Sequence, residues 1–355
     1  MEHATPVGPS VSICIPASRA AHGLREAVQS VLAQDHQDLE VIITDDSCGA
    51  LEPVATAFGD DRVRYHANPH RLGLAGNHTA GLARARGRHI GFLHDDDRFL
   101  PGYVSSVLAA FRRDPSLGVV FTDCWIDHGV GDYGRRPIDL RGGRHERFLP
   151  TVIERDYLLP STTMIRREVW DRGAKRWPDL VCADLALFVD AALAGWPFFY
   201  VDEPLVVYRK HPGQIGAVER RHREHVVAFW ERYRFEDARA EGLRREKVAF
   251  WLVALASSCL KENDRAAARN ALVRAKALEP GVQRPRRVAT SLLARVPRAV
   301  GPAHSAWRRL RPAERNAPLP GGDEKDGGVT RTAARGAAKP RMPSLGGGGG
   351  PRGGS

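Results

Sequence analysis

The chain has 355 residues, 43% of them hydrophobic, enough for one large domain or two modest ones. Its net charge of +11 sits at one end: residues 284–315 hold nine Arg against one Glu and residues 316–355 hold six Lys or Arg against three acids, so residues 1–283 are neutral and no specific nucleic-acid partner is expected. Five scattered cysteines (Cys14, Cys48, Cys124, Cys182, Cys259) without CxxC spacing argue against a disulfide framework or a zinc site and for a reducing compartment.

Residues 1–9 read as a tail. They lack a basic stretch followed by an apolar one, so no signal peptide is expected and the predicted location is cytoplasmic. VSICI (11–15) predicts a strand. GLREAVQSVLAQ (23–34) places Leu24, Val28, Val31 and Leu32 on one helical face. LEVIIT (39–44) predicts a strand ending at Asp45-Asp46, and RVRYH (62–66) a weaker one. Residues 74–86 predict a helix and RHIGFL (88–93) a third strong strand. Pro101 is placed to open a helix running to Arg113, and GVVFT (118–122) predicts another strand. Strands alternating with helices imply an α/β fold with a mostly parallel sheet flanked by helices. Ligands of such sheets bind outside the carboxyl ends of the strands.

Asp45-Asp46 follow one strand and Asp95-Asp96-Asp97 follow another, so both clusters are expected on one edge of the sheet. Carboxylates facing one crevice need a counter-charge, and a divalent cation, Mg²⁺ or Mn²⁺, supplies it while sharing its shell with phosphate. An acidic loop with one aspartate capping a helix fits the run HDDD equally well.

Four segments in order add a second line of reasoning: VSICIPAS (11–18), SVLAQDHQDLEVIITDDS (30–47), NPHRLGLAGNHTAGLARARGRHIGFLHDDD (68–97) and ADLALFVDAALAGWPF (183–198). Together they resemble the family 2 glycosyltransferases, whose GT-A fold is a Rossmann-like nucleotide-diphospho-sugar-binding domain. The resemblance covers roughly residues 10–215, and it places the catalytic domain at 10–217. It implies transfer of a sugar from a nucleotide-diphosphate donor to an acceptor hydroxyl, by one inverting displacement. Pro16 and Ser18 match the loop bordering the nucleotide. Asp46 matches the aspartate that contacts the base, with Asp45 as its structural neighbour. Gly73 and Asn77 match the segment near base and ribose, where Gly76 replaces the family's usual Arg. Asp95 and Asp96 match the DxD-type motif. On the register given by Pro101, Asp96 is the metal ligand, Asp95 faces ribose or the metal shell, and Asp97 is a supporting residue or a helix cap. His94 occupies the place often held by the first aspartate.

Asp184 matches the family's catalytic base, with Ala183 in place of a preceding glutamate. LALFVDAALAG after it has helical spacing, which puts Asp184 at a helix N-terminus, where a carboxylate is favoured. Asp190 faces elsewhere and reads as structural. YRKHPGQIG (208–216) resembles the segment that closes the domain in many relatives. There Arg209 would neutralise phosphate charge and His211 would reach the metal or diphosphate. Trp125, Trp170, Trp177 and Trp196 read as core or acceptor-cleft lining. His66, His70, His78 and His89 lack convergent metal spacing, and Arg166 and Arg167 are expected to face solvent. Acceptor recognition, of a saccharide or a lipid-linked acceptor, is assigned to residues 125–180.

Residues 218–283 predict a helical extension in which LASSCLKENDRAAARNALVRAKALEPG (255–281) resembles one tetratricopeptide-like hairpin. One such unit cannot form a solenoid, so it is expected to pack on the preceding domain. Residues 284–315 mix Leu292, Leu293, Val296, Val300, Trp307 and Leu310 with the arginines, the composition of segments that lie on anionic membrane surfaces. Peripheral binding at the inner face of the cell membrane follows as an expectation. Residues 316–355 end in GGGGGPRGGS and read as a disordered tail. Two further classes share these features: a metal-dependent nucleotidyltransferase and a catalytically inactive nucleotide-sugar-binding protein.

Overall fold

The structure, a computed structural model, describes residues 8–18, 21–129, 132–136, 138–155, 157–173, 179–210 and 219–281. His211, Trp177, the basic segment 284–315 and the tail 316–355 lie outside the described residues.

The first half alternates as the sequence predicts. β1 (Val11–Ala17) leads to α1 (Ala21–Leu32), β2 (Leu39–Asp45), the short α2 (Glu52–Thr56), β3 (Val63–Ala67), α3 (Gly73–Arg84) and β4 (His89–Phe92). β5 (Arg98–Phe99), α4 (Tyr103–Arg113) and β6 (Val119–Asp127) follow. β1 and β2 are buried along their whole length, which explains their nearly unbroken apolar runs: such strands are covered by helices on both faces. β1 pairs in parallel with β2 on one side and β4 on the other, and β2 pairs in parallel with β3.

The remaining elements are β7 (Tyr133–Arg135), β8 (Gly143–His145), α5 (Leu149–Glu154), a 3₁₀ turn (Pro160–Thr162), β9 (Thr163–Arg166), α6 (Arg167–Arg172), α7 (Leu185–Leu193) and β10 (Phe198–Arg209). Helices α8 (Glu219–Glu231), α9 (Ala238–Lys261) and α10 (Arg265–Leu278) close the described chain. The strand order is β3-β2-β1-β4-β9-β6-β10-β5. The quartet β3-β2-β1-β4 is parallel. Beyond it the sheet is mixed, because β9 runs antiparallel between β4 and β6 while β6 and β10 are parallel to each other.

The two faces of the sheet bury different helices, as period-2 alternation requires. Ile13, Ile15, Val41 and Ile43 face a core completed by Leu24, Val28 and Val31 of α1 and Val104, Val107 and Phe111 of α4. Cys14, Ile42 and Phe92 face the other core, shared with Leu82 of α3, Val152 of α5, Phe188 of α7, Phe229 and Trp230 of α8, and Leu252 and Val253 of α9. The C-terminal helices therefore finish the second face of the same sheet. Asp264 caps α10 by accepting from Ala267 N at 3.0 Å.

Two local expectations need correction. Pro101 does not open α4: Gly102, with φ +84°, stands between them as the N-cap, and Tyr103 is the first helical residue. Arg166 and Arg167 do not simply face solvent. Arg167 donates from Nε to Gly87 O at 2.8 Å and from Nη2 to Ala85 O at 2.7 Å, and Arg166 Nε donates to Leu117 O at 3.0 Å. They satisfy carbonyls that the loops before β4 and β6 leave open.

Glu40, on β2, is an acid inside this sheet, with its side chain 3% exposed. Burial alone would raise its pKa. Donors from Ser12 Oγ (2.7 Å), Arg86 N (2.8 Å) and Arg64 Nη1 (2.7 Å) outweigh that and hold it below the ordinary glutamate range. A group whose folded pKa is depressed stabilises fully above its unfolded pKa and loses that contribution as pH falls through the folded value. Glu40→Gln is expected to cost about 2 kcal/mol at neutral pH. The gap in thermal midpoint from the unmodified chain should close as pH drops below about 4; a gap independent of pH would refute the charge-based account.

Candidate active site

The parallel quartet brings the carboxyl ends of β1, β2, β3 and β4 to one edge. The chain runs β1 to β2 to β3 on one side and then returns to place β4 on the other side of β1. That reversal opens a crevice between the loops after β1 and β4.

The loop after β2 carries two acids with different partners. Asp45 accepts from Ser47 N (2.7 Å), Ser47 Oγ (2.5 Å), Leu51 N (3.2 Å) and Tyr65 Oη (2.7 Å), and so fixes the loop. Burial would raise its pKa, but these donors, Ser47 and Tyr65 above all, hold it below the usual range. Asp46 is buried and accepts from Leu72 N (2.6 Å), Gly73 N (3.0 Å) and Asn68 Nδ2 (3.2 Å). Gly73 opens α3 with φ +73°, a backbone state that favours glycine, so its N–H can point at Asp46. Asn77, one turn on, donates from Nδ2 to Ala17 O at 3.0 Å and accepts from Asn68 Nδ2 at 2.9 Å. Asn68 thereby joins the loops after β2 and β3. Sequence reading passed over it, although an Asn-Pro pair directly after a strand is a turn signal.

Gly76 has a packing reason. A Cβ there would lie 2.7 Å from Leu72 Cβ, so a larger residue would displace Leu72 from the loop that holds Asp46.

Pro16 is buried in β1 opposite Thr44, and Ser18 N donates to Asp95 Oδ2 at 3.0 Å, across the crevice between the loops after β1 and β4. α1 packs against the same acidic loop. A Cβ on Gly23 would sit 2.4 Å from Asp95 O, so only glycine allows this approach.

Asp95 and Asp96 are half-buried and Asp97 is buried. Asp97 is not a helix cap, since Gly102 caps α4. It accepts from Ser161 Oγ (2.5 Å) and from Arg209 N (2.9 Å). Ser161 also accepts from His94 N at 3.1 Å. Burial, and then the Asp96 carboxylate, push Asp97 well above the usual carboxylate range. Ligand-type atoms of His94, Asp96 and Asp97 lie within 4.8 Å of one another. Two carboxylates and one imidazole gathered this closely suit a divalent cation.

His94 Nδ1 lies 3.8 Å from Asp97 Oδ2, and His94 Nε2 lies 3.3 Å from Nε2 of His78 on α3. Burial pushes His78 down to about 3, so it is neutral. His78, set aside on spacing alone, stands directly behind the cluster. It also lines a small gap with Asp184, Phe92, Pro160, Leu187 and Phe188. Asp184 holds the N-cap position of α7 without a side-chain capping bond and is half-buried. Ala183 is fully buried, where a glutamate would carry an acid into the core.

The Arg209 guanidinium donates to Glu26 Oε2 at 2.7 Å and lies 3.8 Å from Asp127 Oδ2. A phosphate would have to compete with Glu26 for it. Trp125 and Trp170 are buried and Trp196 is half-buried against the core. A recess of about 650 Å³ lies at the opposite end of β10, lined by Arg113, Asp114, Arg144 and Asp202, away from these acids.

Residues 12–173 match the family described as glycosyl transferase family 2. Among curated relatives, an uncharacterized protein of Mycobacterium tuberculosis is 27% identical over 70% of this chain and 77% of its own. A GalNAc(5)-diNAcBac-PP-undecaprenol β-1,3-glucosyltransferase of Campylobacter jejuni is 32% identical over 34% of this chain, a match that spans 39% of that enzyme. Two solved structures share the fold. S. aureus TarS in complex with UDP-GlcNAc gives a TM-score of 0.56 at 15% identity, over 80% of this chain and 87% of that one. A mannosyltransferase from Pyrobaculum calidifontis in complex with GDP-Man and Mn²⁺ gives 0.51 at 19% identity, over 81% and 85%.

Proposed function

Because residues 12–173 belong to the family 2 glycosyltransferases and the chain is accordingly a glycosyl-transferring enzyme of GT-A fold, we propose that it moves a sugar from a nucleotide-diphosphate donor to an acceptor hydroxyl by a single inverting displacement. One observation carries this reading. The loops after β1, β2, β3 and β4 are stitched by Ser18, Asp46, Asn68 and Asn77 into one hydrogen-bonded rim that ends at the acidic cluster. A nucleotide diphosphate needs that juxtaposition: neutral and acidic acceptors for the nucleoside at one end, a cation site at the other.

Asp46, Gly73 and Asn77 hold the nucleoside in this reading, with Pro16 and Ser18 bordering it. Asp95 faces the ribose side. Asp96, with His94 and Asp97 beside it, holds the divalent cation, Mn²⁺ or Mg²⁺. When bound, that cation neutralises the departing diphosphate. Arg209 adds a second positive charge once it leaves Glu26, and His211 follows two residues later. Asp184 takes the proton from the acceptor hydroxyl as its oxygen attacks the anomeric carbon. Holding donor and acceptor in line supplies much of the acceleration.

The name of the C. jejuni relative favours a lipid-linked acceptor and a role in glycoconjugate assembly. Contact of residues 284–315 with an anionic membrane would bring such an acceptor close. Among the described residues no helix is long and apolar enough to cross a membrane. Flotation of the full chain and of a chain ending at Gly281 on anionic liposomes tests the contact, which equal partitioning would rule out.

A thermal-shift panel of nucleotide sugars, with and without Mn²⁺, tests the reaction class. Donors carrying one base should raise the midpoint on the order of 5 °C at saturating concentration, and only with the metal. If no nucleotide sugar shifts the midpoint in either condition, the donor reading is wrong.

A further inference from the structure

We propose that His78 is a positioning residue: it fixes the tautomer of His94, so that His94 Nδ1 becomes the nitrogen ligand of the cation site beside Asp96 and Asp97. The inference rests on the divalent-cation reading above. It follows from donor and acceptor bookkeeping along three groups. Leu74 O lies 2.9 Å from His78 Nδ1. A carbonyl only accepts, so the proton of neutral His78 is on Nδ1 and its Nε2 carries a lone pair. That lone pair faces His94 Nε2 at 3.3 Å, with the two rings edge to face at 88°. One proton must lie between the two nitrogens, and His94 supplies it. Neutral His94 is then protonated on Nε2 and bare on Nδ1. The bare nitrogen is the one that lies toward Asp97 Oδ2, at 3.8 Å, too far for a hydrogen bond.

A backbone carbonyl one helical turn before His78 thus determines which nitrogen is offered to a metal two side chains away. Metal-bound histidines are commonly oriented through their other ring nitrogen by an acceptor of this kind. Here the acceptor is a second imidazole, itself buried and held by α3. A nitrogen in the set also changes which ion is preferred. Mg²⁺ keeps to oxygen ligands, whereas first-row divalent ions accept imidazole. The mixed set should therefore favour Mn²⁺ over Mg²⁺.

The test is Mn²⁺ alone, titrated into the full chain. Free Mn²⁺ is counted by electron spin resonance, and the bound ion is read by electron spin echo modulation. The unmodified chain should show directly coordinated nitrogen. His94→Asp should lose that signal and shift Mn²⁺/Mg²⁺ competition toward Mg²⁺. His78→Leu, which removes the acceptor, should weaken Mn²⁺ binding about tenfold or more. His78→Gln, whose amide oxygen can accept from His94 Nε2–H, should stay within a few-fold of the unmodified chain. Bound Mn²⁺ without nitrogen modulation in the unmodified chain overturns the proposal. So does a folded His78→Leu that binds Mn²⁺ as the unmodified chain does. If His78→Leu fails to fold, the echo spectra of the unmodified chain and of His78→Gln still decide. Mn²⁺ binding that survives Asp96→Ala would instead overturn the cation reading itself, a separate result.

Discussion

Asp184→Asn is expected to lower turnover by about 10²–10⁴-fold, the usual range for loss of a general base, while donor binding persists. The change is nearly isosteric. Asn is as good an N-cap as Asp, so α7 should start where it does now. What disappears is a carboxylate able to take the acceptor proton. The effect should fall on kcat, with thermal stabilisation by donor plus Mn²⁺ unchanged, because the assigned donor contacts lie on the β1–β4 loops, on α3 and at the end of β10, and not on α7. Turnover near that of the unmodified chain would remove Asp184 from the reaction and point to an acid in residues 125–180 instead.

Asp96→Ala is expected to abolish metal-dependent donor binding, weakening it at least tenfold, or about 1.4 kcal/mol. It has a second readout of opposite sign. Asp97 has its pKa raised, by burial first and by Asp96 next. A group with a raised folded pKa stabilises below its unfolded pKa and loses that contribution as pH rises through the folded value. As pH rises, ionising Asp97 beside Asp96 therefore costs the metal-free chain stability, and deleting Asp96 relieves part of that cost. The variant should have an equal or higher midpoint without metal, yet gain nothing from donor plus Mn²⁺. A variant that still responds to donor only when Mn²⁺ is present would displace Asp96 as the anchoring ligand.

The parallel half of the fold could be read from the chain because its signals are local. Val11–Ala17 and Leu39–Asp45 are rich in β-branched and other apolar residues and each ends at a polar turn, so their type and their edge were both predictable. Of the mixed half, β6 and α7 could be read but the order and direction of the strands could not. Thr163–Arg166 is a four-residue strand whose antiparallel seat between β4 and β6 depends on elements more than forty residues away. The candidate site divides along the same line. Asp46 and Asp96 could be picked out because an acid directly after a buried strand has few reasons to be there. Asn68, His78 and Ser161 act by reaching across loops: His78 meets His94 only because α3 lies against β4, and Ser161 meets Asp97 only because a 3₁₀ turn crosses the same edge. No spacing rule encodes such meetings. Arg167 was misread for a related reason, since the carbonyls it satisfies belong to another segment.

The way α8 and α9 seal the second face has a practical meaning for anyone dissecting this chain. The family match stops at Gly173, yet Phe229, Trp230, Leu252 and Val253 sit against Phe188 and Phe198 in one continuous interior. A cut near residue 217 would not liberate a minimal enzyme. It would strip the wall from an oil-filled room and leave aromatic rings facing water, with precipitation the natural outcome. The helices that follow the match are therefore half of the housing in which Asp184 and His78 keep their places.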